Sequence, residues 1–178
     1  YAGQSYNGRF AHVPGFQTCI ECHDTHQLAI KTDQCATCHG TEEVHDIRMT
    51  AVDFDGDGDT SSGLAVEVTN INQAILDAIY LYAAEEVGVA IVFDAHAYPY
   101  WFIDTNGDGV ADPDEANYGN QYNAWTPRLL RAAYNYTWAL KDPGSYAHNG
   151  LYMLHVLYDT LQDIGGDDSG MTSPEVTQ

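Results

Sequence analysis

The sequence predicts a mainly α fold with extensive irregular loops and little β structure. Three stretches carry apolar residues at helical spacing, only one short apolar run reads as a strand, and Gly, Pro and Asp interrupt much of what remains. The expected division is an N-terminal segment over 1–48, a small helical domain clipped by acidic loops over 49–166, and a polar tail over 167–178. Residues 1–18 contain glycines, a proline and aromatics without period, and read as an irregular arm. In INQAILDAIYLYAAEEVG, Ile71, Ile75, Ile79 and Tyr82 share a face and Gly88 marks the stop. GVAIVFD is a short strand or buried run. TPRLLRAAYNYTWALKDPG is the second helix, with Thr126 as N-cap, Pro127 at the first helical position and Pro143 and Gly144 at its end. Leu129, Ala133, Tyr136 and Leu140 are expected to face the core. Asn149 caps the third helix, in which Leu151, Leu154, Tyr158 and Leu161 line a face before Gly165 and Gly166.

The chemistry is concentrated in CIECHDTHQLAIKTDQCATCH. Cys19 and Cys22 are followed directly by His23, and Cys35 and Cys38 directly by His39, which uses every cysteine of the chain. C-x-x-C-H is the attachment signature of a c-type haem: two thiols add to the porphyrin vinyl groups and the adjacent imidazole reaches the iron. The reading is two covalent haem c groups on one segment. A zinc ribbon competes, because two C-x-x-C pairs can enclose one tetrahedral ion. It leaves the two following histidines without a role, and histidine is only 8 of 178 residues. A thioredoxin-like dithiol lacks its βαβ surroundings, and a disulfide framework also leaves the histidines unexplained.

Each iron needs a sixth ligand or an open position. Six histidines lie outside the motifs, so imidazole on both faces is expected at both irons, giving low potentials and saturated iron. His26 and His12 are the first distal candidates, with His148, His96 and His45 in reserve; His155 is expected to pack in the core. Met49 is the only methionine close to the segment in sequence.

Acidic loops follow. DTNGDGVADPDE at 104–115 fits the calcium loop D-x-[DN]-x-[DN]-G-x5-E at every position. Asp104, Asn106, Asp108, the Val110 carbonyl, Asp112 and Glu115 are its expected Ca2+ donors. DFDGDGDTSSG at 53–63 is a second expected Ca2+ loop, with Asp53, Asp55, Asp57 and Asp59 as donors. Glu67 is its closing donor, at a spacing longer than the twelve-residue loop allows.

Six basic residues against 26 acidic ones give a formal charge of −20, which argues against nucleic acid or an anionic membrane surface and for cations or a basic partner. No apolar run is long enough to span a membrane. The chain opens at Tyr1 without a signal-like segment, so it is expected to be a mature product or a fragment. No nucleophile triad or phosphate loop points to a hydrolase. Asn135 begins a glycosylation sequon inside an expected helix, so the serines and threonines of the tail are the better sugar sites. A tail of this composition is ordinarily disordered; one with ordered coordinates is expected to be held by a neighbouring subunit or by glycans.

HVPGFQTCIECHDTH, the second C-A-T-C-H, DFDGDGD, HAYPYWFIDTNGDG, EANYGNQYNAWTPRLLRAAYNY and KDPGSYAHNG together resemble a module of secreted multihaem c-type cytochromes, over roughly residues 1–164. The resemblance implies electron transfer, with Cys19, Cys22, Cys35 and Cys38 as thioether sites and His23 and His39 as proximal ligands. It also implies export, to the cell surface or beyond, with the periplasm as the alternative. Such cytochromes carry more haems than the two motifs here, which shifts the expectation toward self-association. Extracellular cytochrome filaments resemble this class, and the expected role is a subunit of such a homopolymer, exchanging electrons with redox partners. The alternatives are a dihaem module of a larger oxidoreductase and a calcium-rigidified structural fibre.

Overall fold

The computed structural model describes residues 1–176; Thr177 and Gln178, the end of the expected tail, lie outside the described residues. Its helices are α1 (Cys19–Cys22), α2 (Thr32–His39), α3 (Leu64–Tyr82), α4 (Pro127–Lys141) and α5 (Ser145–Ile164), and its strands β1 (Ile91–Phe93) and β2 (Trp101–Ile103). The fold is mainly α with long irregular connections, as expected. The described residues form two compact units: one holds 1–70, 143–155 and those from 170 onward, the other 71–142 and 156–169.

The second unit has a conventional core. Ile71, Ile75 and Ile79 recur at three- and four-residue spacing along α3 and are buried with Leu129, Ala132, Ala133 and Tyr136 of α4 and Leu157, Leu161 and Ile164 of α5. β1 and β2 pair antiparallel, Val92 opposite Phe102, and bury Ile91, Val92 and Phe102 in the same core. Thr126 caps α4, its Oγ1 accepting from the Leu129 N–H at 3.1 Å, with Pro127 in the first turn. α3 starts at Leu64, earlier than the stretch singled out in the sequence, because buried Val68 extends the same stripe backwards. Gly88 ends the helical run at φ 78°, a left-handed conformation that glycine adopts without a Cβ penalty.

Two expectations shift. Leu140 is 43% exposed and does not belong to the core stripe of α4. The aromatic run before the 104–115 loop is extended only over Trp101–Ile103, since residues 95–100 turn. Asn135 lies within α4 and donates to Thr160 Oγ1 at 2.8 Å, so its amide is committed inside the second unit.

The first unit is built from loops around short helices. Its apolar centre is Phe54, Val68, Met153 and Leu154. Asn149 breaks the geometry of α5 (φ −164°, ψ 73°), and its Oδ1 faces the Tyr152 N–H at 3.4 Å, a capping arrangement for the turns that follow. Its Nδ2 donates to the Gly8 carbonyl at 2.8 Å and fastens the N-terminal arm. The described part of the tail bonds to its own chain: Thr172 N–H donates to the Phe54 carbonyl and the Glu175 carbonyl accepts from Asn7 Nδ2 at 3.0 Å.

α1, the shortest helix, has a strong start. Glu21 Oε2 accepts from the backbone N–H groups of Thr18 and Gln17, both at 2.6 Å. These two bonds, that of Thr18 first, hold its carboxyl below the ordinary glutamate range. A depressed folded-state pKa contributes stability above the ordinary glutamate value, and that contribution disappears as pH falls through the depressed value. Acidification through this window is therefore expected to release the Gln17 and Thr18 amides, measured by hydrogen exchange. Glu21→Gln should remove the pH dependence of their protection.

Candidate haem-binding site

The first unit brings the motif histidines to imidazole partners. His12, from the arm, faces His39 at the end of α2 with ring centroids 6.0 Å apart and planes at 52°. His148, from the first turn of α5, faces His23 with centroids 6.5 Å apart and planes at 47°. Imidazole nitrogens bind first-row metals at about 2.0–2.1 Å and the ring centre lies roughly 1 Å behind the nitrogen, so two rings on opposite sides of one iron have centroids about 6 Å apart. Both pairs have the spacing that an iron requires. Edge-to-face and offset aromatic contacts span about 4.5–7 Å as well, so the spacing leaves room for an iron between each pair without by itself requiring one.

The local sequence explains how each ring is aimed. His23 follows α1 in extended conformation, and its Nδ1 lies 3.1 Å from the Leu28 carbonyl. A carbonyl only accepts, so Nδ1 carries the proton and Nε2 presents its lone pair outward. Leu28 turns its carbonyl this way by adopting φ 58°, uncommon for a residue with a branched side chain. His39 ends α2, closed by Gly40 at φ 74°. Nδ1 of His39 and Nδ1 of His12 are both buried without a hydrogen-bond partner. His12 is flanked by Phe10 and Phe16 at 6.0 and 6.1 Å. Arg9 donates to the Gln17 carbonyl at 3.2 Å, closing the arm into a loop around His12. Gly144 leaves room for His148: a Cβ there would come within 2.7 Å of the ring.

The four thiols are unpaired, and Cys19, Cys22 and Cys38 are exposed. Partial burial, and then the neighbouring Cys35, push the Cys22 thiol up, so the two motifs lie close enough to sense each other's charge. An open cleft of about 370 Å³ adjoins the second motif, lined by Cys38, His39, Ile47, Arg48, Met49 and Ser61. Ile20, Leu28, Ile30 and Met49 are 62%, 73%, 46% and 82% exposed, apolar side chains in and after the motif segment that a porphyrin face can cover.

The remaining histidines stand apart from these pairs. His26 is exposed on the turn after His23, its backbone N–H donating to Asp24 Oδ1. His45 is exposed and faces Tyr146 at 5.2 Å, and His96 is exposed in the turn before β2. His155 is buried against Tyr6, with centroids 4.8 Å apart.

The two acidic loops share one hydrogen-bond pattern. In residues 104–115, Asp104 accepts from the Gly107 and Gly109 N–H groups at 2.6 and 2.9 Å. Glu115 accepts from the Thr105 and Asn106 N–H groups at 2.7 and 3.3 Å. In residues 53–63, Asp53 accepts from Gly56 and Gly58 at 2.7 and 2.8 Å. Glu67 accepts from Phe54 and Asp55 at 2.9 and 2.8 Å. Glu67, one turn into α3, therefore occupies the place that Glu115 holds in its own loop. The carboxylate oxygens of Asp53, Asp55 and Glu67 lie within 4.8 Å of one another. Burial, with the Glu67 carboxylate adding to it, raises the pKa of Asp55, the response of a carboxylate crowded by another.

The loops differ in one respect. Glu67 Oε1 is ion-paired with buried Arg48 at 2.5 Å, and Arg48 also donates to the carbonyls of Thr50, Val52 and Ser62. Glu115 Oε2 is buried with no partner. The Thr105 hydroxyl, followed by the Thr105 N–H, keeps the Glu115 carboxyl below the usual range, so its orphaned oxygen carries negative charge. A buried anionic oxygen without a partner is the feature that a hard cation satisfies.

Sequence reasoning missed the two specific ring pairs, the carbonyl aimed by Leu28 and the Arg48–Glu67 ion pair. His148 could have been ranked higher from the glycine four residues before it, one helical turn away.

No protein-family model matches the chain, and no solved structure matches it. Among curated proteins it is similar to the C-type polyheme cytochrome OmcC of Geobacter sulfurreducens, 31% identical over 145 residues, covering 76% of the chain and 16% of that protein. OmcB, a C-type polyheme cytochrome of the same organism, is 29% identical over 145 residues in each of two strains, covering 76% of the chain and 17% of that protein. The chain thus spans about a sixth of the length of the curated relatives it matches. Over 76% of its length it is a relative of c-type polyhaem cytochromes.

Proposed function

We propose that the chain is a dihaem c-type cytochrome that transfers electrons outside the cell as the repeating subunit of a haem-lined filament. The observation that carries the reading is the pairing of His23 with His148 and of His39 with His12 at the spacing of iron-bound imidazoles. Haem, when bound, supplies a one-electron couple at iron. Cys19 and Cys22 hold the first group and Cys35 and Cys38 the second, each through two thioether links. An imidazole on both faces leaves no coordination position for a substrate, which favours transfer over catalysis. His26, His45 and His96 are then free of this duty.

Two further points bear on assembly. Ile20, Leu28, Ile30 and Met49 are exposed apolar side chains that neighbouring copies can cover. A charge of −20 opposes close approach of copies, and bound Ca2+ reduces it. In the 104–115 loop, Asp104, Asn106, Asp108, Asp112, Glu115 and the Val110 carbonyl bind Ca2+. In the other, Asp53, Asp55, Asp57, Asp59 and Glu67 do so beside the cation already built in as Arg48.

A second reading, a module of a larger multihaem oxidoreductase, draws on the match to a sixth of each much longer relative. Carbon monoxide separates the two. The reduced protein is expected to bind none, while His148→Ala and His12→Ala each open one iron, seen as a high-spin spectrum and one carbon monoxide per chain. Binding by the unaltered protein would favour the oxidoreductase. Electron microscopy of the secreted, calcium-replete protein is expected to show filaments with continuous haem density, and dispersed monomers would remove the filament. Chelation should deprotect the Gly107 and Gly109 amides before those of Gly56 and Gly58, whose loop Arg48 continues to brace through Glu67 and the Val52 and Ser62 carbonyls. Glu115→Gln should weaken calcium binding by at least about tenfold, measured by calorimetry.

A further inference from the structure

The two haem positions are not equivalent in what supports their imidazoles. At the first, His23 Nδ1 donates to the Leu28 carbonyl at 3.1 Å. At the second, Nδ1 of His39 and Nδ1 of His12 are buried and have no acceptor. A hydrogen bond from Nδ1 to a carbonyl gives the ring anionic character and makes Nε2 a stronger donor to metal. A stronger donor stabilises ferric over ferrous iron and lowers the potential. A buried Nδ1–H without an acceptor does the reverse, because it resists any further positive polarisation of the ring.

Resting on the dihaem reading above, we infer that the Leu28 carbonyl sets the order of the two potentials: the position built on Cys19, Cys22, His23 and His148 is the lower, and the position built on Cys35, Cys38, His39 and His12 the higher. Leu28 is a positioning residue, acting through His23. The charges near the first position do not reverse this order. Lys31 donates to the Ile20 carbonyl at 2.7 Å and would raise the potential there. The Glu21 carboxylate lies close enough to feel the Lys31 charge and offsets it. The left-handed backbone of Leu28 supplies the point of attack: proline cannot adopt φ 58° and withdraws the carbonyl, whereas glycine keeps it.

The test is a spectroelectrochemical titration of the intact calcium-replete protein. Two one-electron components are expected. His148→Met should raise only the lower one and His12→Met only the upper one, since methionine in place of histidine raises a haem potential. Leu28→Pro should move the lower component toward the upper, and Leu28→Gly should leave it in place. The inference is overturned if the lower component follows His12→Met, if the unaltered protein shows two equal potentials, or if Leu28→Pro and Leu28→Gly give the same lower component. Should Leu28→Pro fail to fold, the two methionine variants decide the order by themselves. Haem content by pyridine haemochrome keeps the two levels apart. Fewer than two haems per chain, or no methionine-ligation band in His12→Met and His148→Met, means that the dihaem reading has failed, not the ordering.

Discussion

The separation of the paired imidazoles is the constraint on which the first unit depends. Rings about 6 Å apart, tilted by roughly 50°, make at most edge contact with each other, so other parts of the chain fix them. For His12 the fixing is done by the Phe10 and Phe16 rings and by the loop closed between Arg9 and Gln17. For His148 it is done by Gly144, which leaves the ring its space, and by the break at Asn149 that also fastens the arm through Gly8. Short helices with no buried residues of their own, α1 and α2, can hold cysteines in place only because these longer-range ties surround them.

The acidic loops solve a related problem with charge. Each bends on glycines at positive φ and turns backbone N–H groups toward an aspartate at its head, Asp53 or Asp104. Removing carboxylates from water costs free energy unless charge or hydrogen bonds compensate. One loop meets that cost internally through Arg48, and the other leaves Glu115 with an oxygen that nothing in the chain satisfies. Gly63 links the first loop to the region that follows α2, since any Cβ there would fall 1.7 Å from the His45 carbonyl oxygen. Order in the loop is thereby order in the backbone beside the second motif.

Much of this was legible in the residues. The helical stripes of α3 and α4 followed from periodicity, and Thr126 and Pro127 from capping chemistry. The cysteine motifs and the 104–115 loop are defined by local spacing, which sequence displays directly. The histidine ring pairs were not legible in the same way. His12 and His39 are 27 positions apart and His23 and His148 are 125 apart, and no local pattern reports such contacts. His26 ranked first because it was near in sequence; it is exposed on the turn after His23, its backbone N–H bonded to Asp24. The role of Glu67 was obscured for a similar reason: a helical turn, not an extended loop, brings it back to Asp53. The tail looked free because its composition is polar, whereas its backbone groups, not its side chains, are what bind Phe54 and Asn7.

The bond between Asn7 and the Glu175 carbonyl brings the two extremities of the first unit together. The stretch after Gly170 therefore braces the arm that carries His12, and loosening either one would be felt at the other.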